Sequence, residues 1–221
     1  MRTKKYLEQY RVWPDRGRHI LAQFDADTIC VYQAYRPSIA EYAVNHQRFG
    51  GDFSYNRMSW IKPTFLWMMH RSGWASKKGQ EHILAITLPR SFFDELLRSA
   101  IPSSYDPRRF STVESWQHAV ISSEVRMQWD PDHDPAGRPL QRRAIQLGLR
   151  GETLRRYGER EALSIADVTD FVVAQRAHLE GDLGSLVIPE EQIYEPETIA
   201  SQRAGIDRLA NDPLTAPAGM I

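Results

Sequence analysis

The chain has 221 residues, and its 28 lysines and arginines balance its 28 aspartates and glutamates. This length fits one domain with short appendages, and the zero net charge gives no sign of a polyanionic partner. A single cysteine, Cys30, excludes an internal disulfide. No stretch approaches the ~20 apolar residues of a membrane span, so we expect a cytoplasmic protein without a membrane partner.

The first third of the chain contains a polar segment, a strand and a helix. Residues 1–27 are polar and basic with a few aromatics, which predicts an N-terminal arm. The alternating, β-rich run over residues 28–35 predicts a strand that stops before an Arg-Pro pair. Ser38 and Glu41 have the spacing of a capping box, which predicts a helix to His46.

Downstream, short strands and helices follow one another without strict alternation. The predicted strands are residues 82–88, 124–129, 143–149, 162–165 and 185–188, and the predicted helices are residues 64–70, 92–98, 111–121, 152–157 and 168–178. The run DPDHDPAGRP, residues 130–139, predicts a turn-rich loop. This pattern favours an α+β fold. We predict a single domain over residues 28–194, with a curved, mainly antiparallel sheet and flanking helices, and a polar tail over residues 195–221.

The run FSYNRMSWIKPTFLWMMHRSGW, residues 53–74, places cations inside an unusually apolar stretch. Burying an unpaired charge is costly, so Arg57, Lys62 and Arg71 either point out of the core or face a pocket that receives an anion. Trp60 lies beside them and would suit a base or a nicotinamide ring. The alternative is that Arg71 relieves a helix dipole and that the tryptophans belong to the core.

Charged residues also lie at the ends of two predicted strands. Arg36 stands between a strand end and a helix N-terminus, where backbone N–H groups favour anions. It either binds a phosphate or carboxylate, or pairs with a surface acid such as Glu41. Glu190 and Glu191 follow the last strand. One of them supplies a catalytic carboxylate at the strand edge, or both lie in the first turn of a helix.

The predicted loop holds a cluster of acids with a histidine. Its members are Asp130, Asp132, His133 and Asp134. Such a cluster binds a hard divalent cation or supplies a general base. Alternatively, the acids form turns and are neutralised by Arg142 and Arg143.

Three motifs are shared with a known family. At YRPSIAEYAV, RMSWIKPTFLWMMHRSGW and QWDPDHDPAGRPLQRRAIQLGLRG the chain resembles domain of unknown function forty-two ninety-one, an uncharacterised family of bacteria and fungi. The resemblance runs over residues 29–194 and implies no established activity. In layout, with Arg36 closing the first strand and SLVIPEEQIY placing acids after the last, the chain is also similar to the ADP-ribosyltransferase superfamily.

The second resemblance implies a cofactor and residue roles. The cofactor is NAD, whose pyrophosphate Arg36 and Arg57 would clamp and whose nicotinamide Tyr55 or Trp60 would stack. The superfamily's glutamate stands at the start of a late strand, where this chain has Gly184 and Ser185, so Glu190 or Glu191 would have to replace it. Together with the cationic run and the acid cluster, this gives Arg36, Tyr55, Arg57, Trp60, Lys62 and Arg71 as candidate cofactor-binding residues. The candidate catalytic residues are Glu190, Glu191 and His133, and no metal site is assigned.

The leading hypothesis is therefore an α+β enzyme with a cationic, aromatic-lined pocket for a phosphorylated small molecule or nucleotide. Its most concrete version is an ADP-ribosyltransferase-like enzyme that transfers ADP-ribose from NAD to an unknown acceptor. One alternative is a nucleic-acid-binding protein that stacks bases on tryptophans beside arginines. Others are a metal-dependent hydrolase centred on the DPDHD acids and an interaction protein whose charges are all structurally paired.

Overall fold

The computed structural model describes residues 1–207 and shows the predicted α+β fold, with short helices flanking curled sheets. The strands are β1 (Thr3–Lys5), β2 (Gly17–Arg18), β3 (Ile20–Ala22), β4 (Thr28–Tyr35), β5 (Ser59–Ile61), β6 (His82–Pro89), β7 (Ile101–Pro102), β8 (Val125–His133), β9 (Pro139–Leu149), β10 (Ser164–Asp167), β11 (Val187–Pro189) and β12 (Gln192–Tyr194). The helices are α1 (Tyr6–Tyr10), α2 (Pro37–His46), α3 (Phe65–Ser72), α4 (Arg90–Ser99), α5 (Val113–Ser122), α6 (Gly151–Arg156), α7 (Thr169–Arg176) and α8 (Thr198–Ala204). A π-helical segment, Tyr157–Glu161, continues α6.

The two largest sheets form the centre of the domain. One has the order β10-β6-β4 and is antiparallel, and the other has the order β2-β9-β8-β7 with β5 paired to β9. The sheets meet at one backbone bridge, where the Tyr32 N–H donates to the Lys62 carbonyl at 2.7 Å and the Lys62 N–H donates back at 3.3 Å. This bridge is isolated and lies just after β5, and the described strands β4 and β5 form no ladder with each other, which leaves a space between them.

Apolar side chains form two buried clusters. The larger lies between the sheets and α4, and includes Ile29, Ile61 and Phe93. The smaller surrounds α3, where Phe65 packs edge-on against Tyr32, with ring centroids 5.4 Å apart. Burial at about 25 cal/mol per Å² of apolar surface makes these clusters the main source of stability.

The ends of the chain pack onto the domain. In the segment predicted as an arm, residues 1–27, strands β1 and β3 pair with β11 and β12, and β3 is buried throughout. Of the predicted tail, residues 195–221, the first part holds α8, which packs on α4, and residues 208–221 lie outside the described residues. Within the described part of the chain, no helix combines the length and the apolar character that crossing a bilayer requires.

The predicted loop over residues 130–139 is largely a β-hairpin. Strand β8 runs to His133 and β9 starts at Pro139, so the connection is confined to residues 134–138. The ladder is irregular between Pro131 and His133. A bulge of this kind accommodates a proline, which cannot donate a hydrogen bond to the ladder. Because prolines are typical of loops, the sequence did not indicate that the strand continues through them.

The capping box predicted for Ser38 and Glu41 is absent. Helix α2 begins at Pro37 with Arg36 as its N-cap, and the Ser38 hydroxyl donates to Asp52 instead of capping the helix. Proline is preorganised for the first helical position, so the N-cap lies two residues upstream of the predicted Ser38. Helix α5 does have a capping box, which is formed by Thr112 and Ser115.

Candidate functional site

A cavity of about 860 Å³ lies where β4 and β5 separate. Its walls come from the end of β4, the segment before β5, helix α3 and the facing side chains of β8 and β9. The charged and aromatic lining residues are Tyr35, Arg36, Asp52, Arg57, Trp60, Lys62, Trp67 and Arg71. Four cations thus line the cavity with a single acid, so it is electropositive and suited to an anion.

Three of the four cations lie at the exposed rim. Arg36 forms an ion pair with Asp52 at 3.0 Å, and both side chains are more than half exposed. Within residues 1–207 the guanidinium groups of Arg57 and Arg71 take part in no ion pair or hydrogen bond. Unpaired guanidinium groups keep all their planar donors available for phosphate or carboxylate.

The fourth cation, Lys62, lies inside. Its side chain is only 5 % exposed, and its Nζ lies 4.7 Å from the centre of the Trp67 ring. Desolvation by burial, with a further contribution from Arg71, lowers the pKa of Lys62 to about 7, and Asp130 opposes this shift. Near neutral pH the amine is therefore divided between its charged and uncharged forms.

Two glutamines form the part of the wall that faces β8 and β9. Gln128 and Gln146 are cross-strand partners, and their side-chain amides donate to the two oxygens of Asp130 at 2.6 and 2.7 Å. Both glutamines line the cavity. Asp130 therefore fixes their orientation and leaves their carbonyl oxygens available.

The β4 side of the wall is also fixed by hydrogen bonds. Gln33 donates to Ser59 Oγ at 2.8 Å and to the Trp60 carbonyl at 3.1 Å, and accepts from the Tyr157 hydroxyl at 2.7 Å. The Tyr35 hydroxyl bonds the same Ser59 Oγ at 2.9 Å. These contacts tie β4 to β5 through side chains, because the two strands share no backbone ladder.

Trp60 and Trp67 supply the aromatic surface. Trp60 is half-buried and lies across Gly148 of β9, where an added Cβ would be 3.0 Å from the indole ring. Trp67 is buried, and among the described residues its Nε1 has no hydrogen-bond partner. The cavity therefore offers the exposed part of the Trp60 indole, and the second indole, Trp67, has a buried and unsatisfied donor.

The structure brings together five of the six residues predicted to hold a cofactor: Arg36, Arg57, Trp60, Lys62 and Arg71. The sixth, Tyr55, is outside the lining; its hydroxyl donates to the Phe49 carbonyl and Arg155 covers its ring. Sequence reasoning missed Trp67 as a lining residue, and it missed Gln128 and Gln146. The only sequence feature that could have indicated Gln128 and Gln146 is that both lie in runs predicted as strands.

The two glutamates proposed as catalytic do not line this cavity. Glu191 is buried and accepts from the Phe65 N–H at 2.6 Å, at the start of α3. Its other oxygen has no partner in the described part of the chain, and desolvation raises its pKa well above the ordinary value. Glu190 pairs with Arg2 at 3.6 Å.

The DPDHD residues are engaged in separate contacts. Asp132 forms a buried ion pair with Arg142, and Asp134 pairs with Arg138. His133, also outside the cavity lining, stacks on His70 with ring centroids 3.5 Å apart. Over residues 1–207 no group of three or more His, Cys, Asp or Glu side chains is placed to hold a metal ion.

Comparison with known proteins identifies a family. The family model for a domain of unknown function, DUF4291, matches residues 19–194, which is most of the chain and contains every residue that lines the cavity. No curated protein matches the chain.

Proposed function

The chain belongs to the DUF4291 family, and we propose that its cavity binds NAD and that the protein is an ADP-ribosyltransferase-like enzyme acting on an unknown acceptor. One observation supports this most: four cations from separate elements surround a cavity that also contains two indole rings. A nucleotide with a pyrophosphate matches both features.

Charge and size support this choice of ligand. Arg36 and Arg57 lie at the rim of the cavity. A pyrophosphate between them would accept paired N–H hydrogen bonds from each guanidinium. Phosphate at Arg36 would compete with Asp52, which holds that side chain in the free protein. The cavity volume of about 860 Å³ falls within the range of known ligand sites. The exposed part of Trp60 would pack against the nicotinamide.

The proposed chemical step breaks the bond between the nicotinamide nitrogen and the ribose carbon. Nicotinamide leaves with the electron pair, and positive charge develops on the ribose. Asp130 would stabilise that charge through Gln128 and Gln146, because it orients their amides so that the carbonyl oxygens remain free. An acceptor nucleophile, or water when no acceptor is present, then bonds to the ribose carbon and releases its proton to solvent.

The first experiment measures NAD affinity by titrating the protein with NAD in a calorimeter. Arg36→Ala should weaken NAD binding at least ~10-fold, the scale of losing one charge-assisted contact, and leave the melting temperature nearly unchanged. Arg138→Ala is the matched control, since Arg138 is also exposed and paired with an acid but lies away from the cavity. Equal NAD affinity in wild type and Arg36→Ala would refute the assignment.

Turnover is measured separately. Incubation with NAD should release nicotinamide, and Gln146→Ala should slow the release more than it weakens binding. A single-stranded RNA oligonucleotide tests the nucleic-acid alternative, which uses the same cations and Trp60. RNA binding that falls steeply with salt, without NAD binding, would favour that alternative.

A further inference from the structure

Lys62 has an environment that a purely structural lysine avoids. Its side chain is 5 % exposed, and among residues 1–207 its Nζ makes no ion pair and no hydrogen bond. The backbone of Lys62 bridges to Tyr32, so the position of the residue is fixed without its side chain. Buried charges are normally paired, because an isolated ammonium loses its hydration without compensation.

Two features of the surroundings favour the uncharged amine: the side chain is buried, and Arg71 lines the same cavity. The Nζ lies over the face of the Trp67 ring, a cation–π contact that favours the charged form and opposes them in part. The acid that acts on Lys62, Asp130, is already bonded by two glutamine amides. Desolvation accordingly lowers the pKa of Lys62 to about 7. Lysines that are desolvated or placed next to another cation act as nucleophiles towards carbonyl compounds.

From this geometry we propose that Lys62 is a covalent nucleophile, and that the cavity binds a phosphorylated aldehyde or ketone as an imine on Lys62 Nζ. The arginines at the rim, Arg36, Arg57 and Arg71, would hold the phosphate of this ligand. Its carbonyl group would extend into the cavity as far as the Lys62 amine. The inference rests on the anion-binding part of the proposed function and is independent of NAD.

The reaction is balanced without any further reagent. The Nζ lone pair attacks the carbonyl carbon, and the π electrons move to the oxygen, which takes a proton from Nζ. The carbinolamine then loses water, which is made of its hydroxyl and the second Nζ proton, while the nitrogen electron pair forms the C=N bond. A lysine that only neutralised a phosphate would form no covalent bond, so trapping with a reductant distinguishes the two roles.

The test uses pyridoxal 5′-phosphate as the probe, at about one equivalent, with borohydride reduction and peptide mapping. The chain contains its own controls, because the other four lysines, Lys4, Lys5, Lys77 and Lys78, are all exposed. We expect the reduced adduct mainly at Lys62. Pyridoxal, which lacks the phosphate, should label Lys62 at least ~10-fold less, and excess inorganic pyrophosphate should protect it.

Two substitutions complete the test. Lys62→Met removes the amine and keeps an apolar chain beside Trp67, and Lys62→Arg keeps a cation that cannot form the imine. Mixed with pyridoxal 5′-phosphate, both variants should show no absorbance from an imine at residue 62. Their thermal unfolding transitions should match that of the wild type. Labelling spread over the exposed lysines, or imine absorbance that persists in either variant, would overturn the proposal.

The outcomes also separate the two proposals. NAD binding without an adduct at Lys62 would overturn only the inference about the lysine. An adduct at Lys62 without NAD binding would overturn only the assignment of NAD.

Discussion

Arg142 and Asp132 form an ion pair that is almost sealed from water, with both side chains 2 % exposed. The guanidinium donates twice to one carboxylate oxygen, at 2.9 and 2.7 Å, and once to the Pro14 carbonyl at 2.7 Å. Removing one partner leaves a buried, uncompensated charge, which costs about 3–5 kcal/mol. Arg142→Met should therefore lower the free energy of unfolding by that amount in guanidinium denaturation.

Arg138→Met provides the comparison. Arg138 is 78 % exposed and pairs with Asp134 in the adjacent hairpin connection. Exposed pairs contribute about 1 kcal/mol or less. If both variants lost equal stability, burial would not be what makes the Arg142 pair important.

Some residue contacts were predictable and others were not. Neutralisation of a DPDHD acid by Arg142 was one of the two readings of that run, because acids and arginines are close in sequence there. Pairing of Arg36 with a surface acid, Glu41 or another, was one of the two alternatives for that residue, and in the structure the acid is Asp52. Glu41 lies on α2, which begins one residue after Arg36, whereas Asp52 is brought back by the turn after the helix. Spacing along a helix does not reveal such a return.

At the scale of elements, Trp60 depends on the strand behind it. Residue 60 of β5 is paired with Gly148 of β9, and a Cβ there would lie 3.0 Å from the indole and 2.6 Å from Met58 Sδ. The methionine can move, but the ring is held by the strand. Gly148→Ala should displace Trp60, lower stability by about 1–3 kcal/mol, and weaken binding of the phosphorylated ligand. Tryptophan fluorescence and urea denaturation measure the two structural effects.

Gly181→Ala is the matched control, because a Cβ at Gly181 meets nothing within 4 Å. It should leave fluorescence unchanged and alter stability little. An unshifted indole spectrum in Gly148→Ala would show that Trp60 does not rest on that glycine.

The elements that the sequence predicts best are those with a strong pattern. Strands β4 and β6 and helix α3 are found because each has eight residues with an apolar run that is alternating or nearly continuous. Strand β5 is missed, since its three residues lie inside an aromatic run that has no alternation. The cationic side of the cavity is found because its residues lie within one part of the chain. The glutamine side is missed because β8 and β9 are far along the chain from the cationic residues. Glutamine also has no sequence pattern that indicates a binding site.

For the whole molecule, the neutral net charge conceals an uneven distribution. Lysines and arginines equal aspartates and glutamates overall, yet the cavity lining holds four cations and one acid. Many acids elsewhere in residues 1–207 already pair with arginines, as Glu95 and Glu161 do with Arg156. Composition alone therefore cannot reveal the site, which depends on how the fold distributes charge.

Stability of the whole molecule should decrease in mild acid through the stacked histidines. Desolvation lowers the pKa of both His70 and His133 below 6.5, and for His70 the neighbouring ring adds to the effect. Below about pH 6.5 the unfolded chain therefore binds protons that the folded chain does not, so the free energy of unfolding falls as pH decreases. The raised pKa of buried Glu191 acts in the opposite direction, so a variant is needed to isolate the histidines.

His133→Phe keeps a flat ring against His70 and removes one titrating group. Urea denaturation of wild type and variant at about pH 7.5 and about pH 5.5 gives the loss of stability for each. We expect the wild type to lose more than His133→Phe, while His118→Phe, on the exposed side of α5, loses as much as the wild type. Equal losses in all three proteins would mean that protonation of the stacked pair does not limit folding in acid.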